Sequence, residues 1–581
     1  RQCYRVENLT ATSKGLRWYE NAPDRVPMGI TRADKNYQAH RKQIYHFLLG
    51  DPGMCSYSDK VIKSLEPVNI KKMVAWNKKF NEPYSDDDIA TLLRLSAVID
   101  SLWESQVKLR QEVEAKTQDN LSIYGWEDDL VDSHTSIRQK DKILSELYKS
   151  EHMRNAGPYA RLKFAMDYWC ALWFWPIEKA DLLPSRSEFL FDLSLILEGT
   201  VASINVNKDI KMGQLSLFPS EMEQMALDIV GTYGLDTVVD IPRLRQDYPR
   251  LNLAYEIAEQ NHFMHWELEF ADLFAERGGF DLVIGNPPWI KMGWSEQDYL
   301  SEIAPIVAIR KLSSFDADAA RNEIISYDPY KFGYLTEYAS TFGQQTFLNA
   351  AQNYITLAGM KANLYKCFLP QAVQFANSKG VFSFVHPEGA FDDPNGGALR
   401  RILYPRLRMH FQFINERKLF DDVHHNTVFS INVYCNEEMV EFVSIFSLFT
   451  PNTIDECFDN QKSAGKQYGM KTPDGEWNTS GSQDRLIRVT RKELKLFAEL
   501  FDEGGDWLEA RLPSLYVKQL LSSLSYFNGD AKKLRDYKDR IFASQMINET
   551  LGQKSHAIKK ITHFPSDLTD AIYSGSHIGN A

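Results

Sequence analysis

The sequence predicts an α/β fold, a doubly wound sheet interrupted by large helical insertions. Three observations carry this reading. Apolar runs of strand length recur at 280–284, 381–387, 411–416 and 427–435. Helical stretches fall between the first two runs, and a helix begins at 398 ahead of the third. Strands alternating with helices indicate a doubly wound sheet. Finally, the texture of the chain changes near residue 263, before which it reads as mostly helical.

Taken in order, the region 1–260 is an accessory helical part. Its clearest segment is 87–118, where Leu92, Leu95, Ile99, Leu102 and Val113 keep an approximate three–four spacing behind leading aspartates. A second helix is expected over 166–180 (MDYWCALWFWPIEKA), whose aromatics suit a packed core better than a cofactor site. Residues 203–245 are punctuated by Gly and Pro and read as a connector. The region 261–440 carries the sheet. HWELEFADLF leads through a Gly-Gly turn at 278–279 into the strand FDLVIG, and 295–360 is a helical excursion. A helix over 362–378, a Lys-Gly turn at 379–380, the run VFSFVHP, a helix over 398–408 and the strands FQFINE and TVFSINVYC follow. The region 441–581 is a linker, polar over 451–484, and then helical.

Composition sets the outer bounds. The 581 residues exceed one ordinary core, and about three to four domains are expected. Apolar content of 44% with 25% charged residues belongs to a folded chain rather than a disordered one. No run of apolar residues is long enough to span a membrane. Six scattered cysteines without a CxxC pair argue against a zinc site or a disulfide scaffold, and fit a reducing, cytoplasmic setting. No cluster has metal-ligand spacing, and WELEF at 266–270 lacks the lysine of a nuclease triad. The net charge of −12 disfavours a protein that coats DNA, although basic patches stand at 400–418 (Arg400, Arg401, Arg406, Arg408, Arg417, Lys418) and 530–560. Either patch could grip phosphates or be a solvated helix face. The first residues, RQCYRVENLT, hold neither a targeting signal nor an initiator Met, so the start is expected to be a processing or fragment boundary.

The most informative stretch is FDLVIGNPPW, 280–289. Ligands of open α/β sheets bind at the carboxyl ends of strands, which is where GNPPW falls. Two prolines remove two N–H donors and fix two φ angles, holding the preceding carbonyls rigidly outward. Asn286 adds an amide oxygen, and Trp289 a flat ring. Such an acceptor-rich cradle suits an exocyclic amine on a planar base. Acceptors at Asn286 and the Pro287 carbonyl would draw the amine nitrogen towards a tetrahedral shape, free its lone pair and let it take an electrophilic methyl. In a duplex the base would have to be flipped out, with Trp289 stacked on it. A bare NPP could equally be a tight turn. The strand before it, the flanking Gly and the later strand–helix units favour a site.

This stretch resembles the catalytic motif of amino-group S-adenosylmethionine methyltransferases, Asp/Asn-Pro-Pro-aromatic. With HWELEFADLFAERGGFDLVIGNPPW as lead-in, and with NLYKCFLPQAV, KGVFSFVHPEGAF, LRRIL and LFDDVHHNTVFSINVY downstream, the chain resembles large N6-adenine-specific DNA methyltransferases of type IIG restriction–modification and phage-defence systems. The DISARM adenine methyltransferase is the nearest likeness and the BREX methyltransferase PglX the next. YHFLLGDPGM, SDKVIKSLEP, WCALWFWP, NETLGQKSHAIKK and SGSHIG extend the resemblance over most of the chain, but only the Pro-Pro motif is sharp. It implies a Rossmann-like class I methyltransferase core with 261–440 as its catalytic half, and S-adenosyl-L-methionine as cofactor. It also implies double-stranded DNA and other defence-system subunits as partners. Asn286, Pro287, Pro288 and Trp289 would be catalytic. His424, His425 and Asn426 enter a strand where related enzymes contact the flipped base, although surface polarity is their ordinary reading. The family's Gly-rich cofactor loop is not found, because 278–279, 396–397 and 504–505 each lack the strand before or the helix after. The cofactor half is therefore expected upstream of residue 1 and a target-recognition domain beyond 581. The alternatives are a methyltransferase for RNA or a glutamine amide, and a non-catalytic DNA-binding or assembly subunit with a relic fold.

Overall fold

The computed structural model describes residues 1–10, 17–30, 32, 34–119, 135–147, 151–199, 239–310, 314–360, 363–459, 469–502, 504–528, 537, 552 and 555–557. The first compact unit runs Arg1–Ser523 and the second Leu524–Ala581. The basic patch 530–560 falls almost wholly outside the described residues, as does most of the connector 203–245.

The amino-terminal region holds three short antiparallel strands that the sequence reading missed: β1 (Gln2–Arg5), β2 (Asp24–Arg25) and β3 (Gln43–Tyr45). Against them lies the long helix α1 (Asp86–Thr117), within a residue of expectation. Its start is fixed by a capping box, in which the Ser85 side chain accepts from the Asp88 N–H and Asp88 reaches back to Ser85. Helix α2 (Pro158–Ala171) ends nine residues short of the expected 180. Pro176 explains this, since it has no N–H and its ring would meet the carbonyl four residues back. The aromatic run does build core: Trp173 and Trp175 are wholly buried in one cluster with Trp169, Leu92 and Ile99.

Beyond Gly278, the turn closes through Gly279, where a Cβ would stand 2.2 Å from the Phe375 carbonyl oxygen, too close for any other residue. A six-stranded sheet follows in the order β4-β5-β7-β6-β8-β9. The strands are β4 (Phe280–Gly285), β5 (Ala376–Pro387), β6 (Leu407–Ile414), β7 (Val428–Cys435), β8 (Glu441–Leu448) and β9 (Ile487–Thr490). The excursion between β4 and β5 is helical, as read, and includes α3 (Asp328–Asn349) and α4 (Leu364–Phe375). The helix before β6 shortens to α5 (Gly397–Leu403), stopped ahead of Pro405. The Lys-Gly turn becomes an irregularity inside β5, whose register with β4 jumps between Ala376 and Val381. The Asn377 side chain accepts from the Lys379 N–H there.

The sheet is mixed, not uniformly parallel. β4 and β5 are parallel, as are β6 and β8, while β7 runs antiparallel to both β5 and β6. The link 415–427 has one 3-10 turn and no crossover helix, so β7 returns beside β6 as an antiparallel neighbour. β8 and β9 continue the same sheet, so the expected boundary at 440 falls between two strands of one sheet, β7 and β8. β4 forms one edge. On one face Ile284, Ser383, Val433 and Met409 stand directly opposite one another, and Ile284 is 72% exposed and Met409 41%. This face stays open there, whereas α4 and α5 pack on the other.

Candidate active site

Asn286 to Trp289 leave the carboxyl end of β4, as the sequence reading expects. Because β4, β5 and β6 point the same way, this end also carries Pro387 and Glu388 after β5 and the 415–427 loop after β6. Pro287 is buried, while Asn286 and Pro288 are exposed. The Asn286 amide has no hydrogen bond among the described residues and is free to meet a ligand. A cavity of about 430 Å³ opens beside it, lined by Leu282, Ile284, Asn286, Pro288, Phe368 and Phe375 among others. The loop is anchored on its far side, where the Leu364 N–H donates to the Ile290 carbonyl at 3.0 Å and Lys291 bridges Asn363.

Trp289 is half-buried. Its indole N–H donates to the Val385 carbonyl of β5 at 3.2 Å, and its ring meets Phe420 edge-on at 5.3 Å and Phe429 at 5.6 Å. The indole is thus seated on the sheet, a packing role the sequence alone did not show. Phe420 is a neighbour that sequence reasoning missed. The signal was the aromatic in LFDDVHHN, on the loop already singled out for its histidines.

His424, His425 and Asn426 lie on that loop at the same end of the sheet. They are exposed, His425 pairs with Glu416 at 3.3 Å, and the Asn426 N–H donates to His424 Nδ1 at 3.2 Å. The four arginines require correction as phosphate ligands. Arg400 is 1% exposed and donates to the Glu509 and Asp393 carbonyls, at 2.8 and 2.7 Å. Arg401 is held by Asp506 and Glu509. Arg406 binds Asn436 and Glu438, and Arg408 caps the Pro405, Leu407, Glu437 and Met439 carbonyls. Arg406 and Arg408 also stand at the start of β6, the end of the sheet remote from Asn286. Arg417 and Lys418, at the end of β6, are exposed and make no ion pair among the described residues. No metal-holding cluster of His, Cys, Asp or Glu occurs among the described residues, and no helix of these residues is long and apolar enough to cross a membrane.

Asn-Pro-Pro-Trp thus leaves the carboxyl end of the edge strand of an α/β sheet, with the Asn286 amide exposed beside a cavity. Comparison with known proteins sharpens this. Residues 206–310, which include β4 and the whole motif, match the Eco57I restriction-modification methylase family. No curated protein matches the chain. Among solved structures, a chain from a type I restriction–modification system aligns at 11% identity over 86% of this chain and 98% of that one, with a TM-score of 0.21. The type IIG restriction endonuclease BpuSI aligns at 12% identity over 79% and 51%, TM-score 0.19. The type ISP restriction–modification enzyme LlaBIII bound to DNA aligns at 11% over 78% and 37%, TM-score 0.19. This chain thus spans about half or less of the last two.

Proposed function

We propose that the protein is a DNA methyltransferase acting on the N6 amine of a flipped-out adenine within a restriction–modification or phage-defence system. A DNA methyltransferase role is supported by the Eco57I-family match over 206–310. The observation that carries the finer reading is Asn286, exposed and unbonded at the end of β4, beside a cavity and within that match.

The chemistry follows from the acceptors. An adenine amine is a poor nucleophile because its lone pair is delocalised into the ring. The Asn286 side-chain oxygen and the Pro287 carbonyl accept its two hydrogens, pyramidalise the nitrogen and expose the lone pair. No strong general base is needed, since the two acceptors are fixed before the amine arrives. Trp289 offers an aromatic face to the extruded base, and Phe420, edge-on to the indole, limits how far it can tilt. Arg417 and Lys418 take over from Arg400, Arg401, Arg406 and Arg408 as candidate phosphate contacts, and His424, His425 and Asn426 are the candidate contacts to the flipped base.

S-adenosylmethionine is the methyl donor this reading implies, and the described residues do not form its complement. The cavity beside Asn286 is lined by apolar and amide side chains, with no carboxylate for a ribose diol. The test is transfer of labelled methyl from S-adenosylmethionine to DNA by the full-length protein, with N6-methyladenine identified by mass spectrometry. Label recovered only on RNA or protein would overturn the reading.

A further inference from the structure

Behind the Trp289 seat, the sheet carries a seam of buried polar side chains that methyl transfer does not use. On the face packed by α4 and α5, Asn432, His410 and Ser444 stand directly opposite one another on β7, β6 and β8. His386, Ser430 and Gln412 form the next row across β5, β7 and β6. All six are at least nine-tenths buried, as is Glu388 at the end of β5. Burial of so many polar groups is costly unless each is paired. Most are. His386 Nδ1–H donates to the Pro387 carbonyl at 2.8 Å, which leaves Nε2 to accept from the Asn432 amide at 3.0 Å. The Glu388 carboxylate meets His410 Nε2 at 3.1 and 3.3 Å and also binds Ser430. Three atoms of the seam, His410 Nδ1, Asn432 Oδ1 and Ser444 Oγ, have no partner among the described residues.

An apolar seam of the same volume would be no less stable, so stability alone does not account for this one. Its location does. Glu388 ties the end of β5 to β6 through His410 and to β7 through Ser430. Those strand ends make the seat of Trp289: Val385, which takes the indole N–H, adjoins His386, and Phe429, against the ring, adjoins Ser430. We propose that Glu388, through His410 and Ser430, is a positioning residue that fixes the Asn286–Trp289 loop without touching the substrate. The purpose of this couple rests on the methyl-transfer reading, but its effect on Trp289 does not.

The test separates the two. The 581-residue chain is labelled with 5-fluorotryptophan, and Trp289→Phe assigns one of the twelve fluorine lines. In Glu388→Gln, with the thermal midpoint kept, the Trp289 line is expected to shift or split while the lines of Trp18, Trp173 and Trp175 stay in place. His410→Gln should reproduce the change from the other side of the pair. In the full-length protein, Glu388→Gln should lower kcat about tenfold with KM for DNA altered less than twofold. An unmoved Trp289 line in both variants would overturn the proposal, as would a shift of every line with loss of the melting transition. A Trp289 line that moves as expected in a protein that methylates nothing would sustain the positioning role and remove the methyl-transfer reading.

Discussion

Trp175 and Ile284 are both large apolar residues of the first unit, yet Trp175 is wholly buried and Ile284 is 72% exposed. The helical region around Trp175 closes on itself. Its aromatics pack edge-to-face, as Trp169 does on Trp173 at 5.8 Å, and the buried Asp100 is held by Tyr45 at 2.6 Å and Arg32 at 2.9 Å. The sheet around Ile284 is closed on one face only, and its edge strand carries the candidate site. A parallel pair such as β4 and β5 is ordinarily covered on both faces. The contrast teaches that one region supplies stability and the other supplies a surface, and that the site belongs to the surface.

Substitutions should separate the two roles. Trp175→Ala should destabilise the chain most, by about 3–5 kcal/mol, because it leaves a large cavity and an unbonded Lys179 carbonyl. A loss below about 1 kcal/mol in denaturant unfolding would show that the helical region is not closely packed. Asp51 comes next. Burial pushes its carboxyl up to about 6, so the folded state favours the proton. Stability on this account rises as pH falls from about 7 towards 4, by on the order of 2–3 kcal/mol. Asp51→Asn should remove that rise, since Gln352, whose Oε1 has no partner among the described residues, can turn to accept from the new amide. Thermal midpoints of both proteins across this range decide it, and parallel curves would contradict it.

On the open side the effects shrink. Trp289→Ala should lose about 1–3 kcal/mol of base stacking, and Trp289→Phe much less. The loss should be largest on a normal A·T pair and smaller where the target adenine is mismatched and already easy to extrude. A 2-aminopurine probe at the target position reads both, and unchanged extrusion in Trp289→Ala would leave the indole with its packing role alone. Ile284→Thr is expected to change the stability of the 581-residue chain by no more than about 0.5 kcal/mol, as at an uncovered position. A destabilisation of 2 kcal/mol would mean that this face is already covered.

The sequence made the helical core and the site strand legible for different reasons. The leading aspartates and the three–four spacing of apolar residues mark α1 because both are local signals, and the Pro-Pro pair fixes its turn wherever it stands. The antiparallel course of β7 was not legible, because TVFSINVYC alternates identically in either direction. The four arginines misled because their partners are set by the fold: Glu509 lies about a hundred residues from Arg400 and Arg401, and Glu438 about thirty from Arg406. The Glu388–His410 couple was hidden because strand pairing, which the sequence does not show, brings the two strands together, although the charged residues inside the apolar run VFSFVHPE were its visible trace.

The central claim is that Asn286 carries methyl transfer. The most direct measurement compares wild type and Asn286→Ala, as full-length proteins, in transfer of labelled methyl to host DNA under single-turnover conditions. One lost acceptor, acting mainly in the transition state, should lower the rate on the order of 10²-fold or more while DNA binding and the thermal midpoint hold. Wild-type transfer with near-normal turnover by Asn286→Ala would contradict the claim.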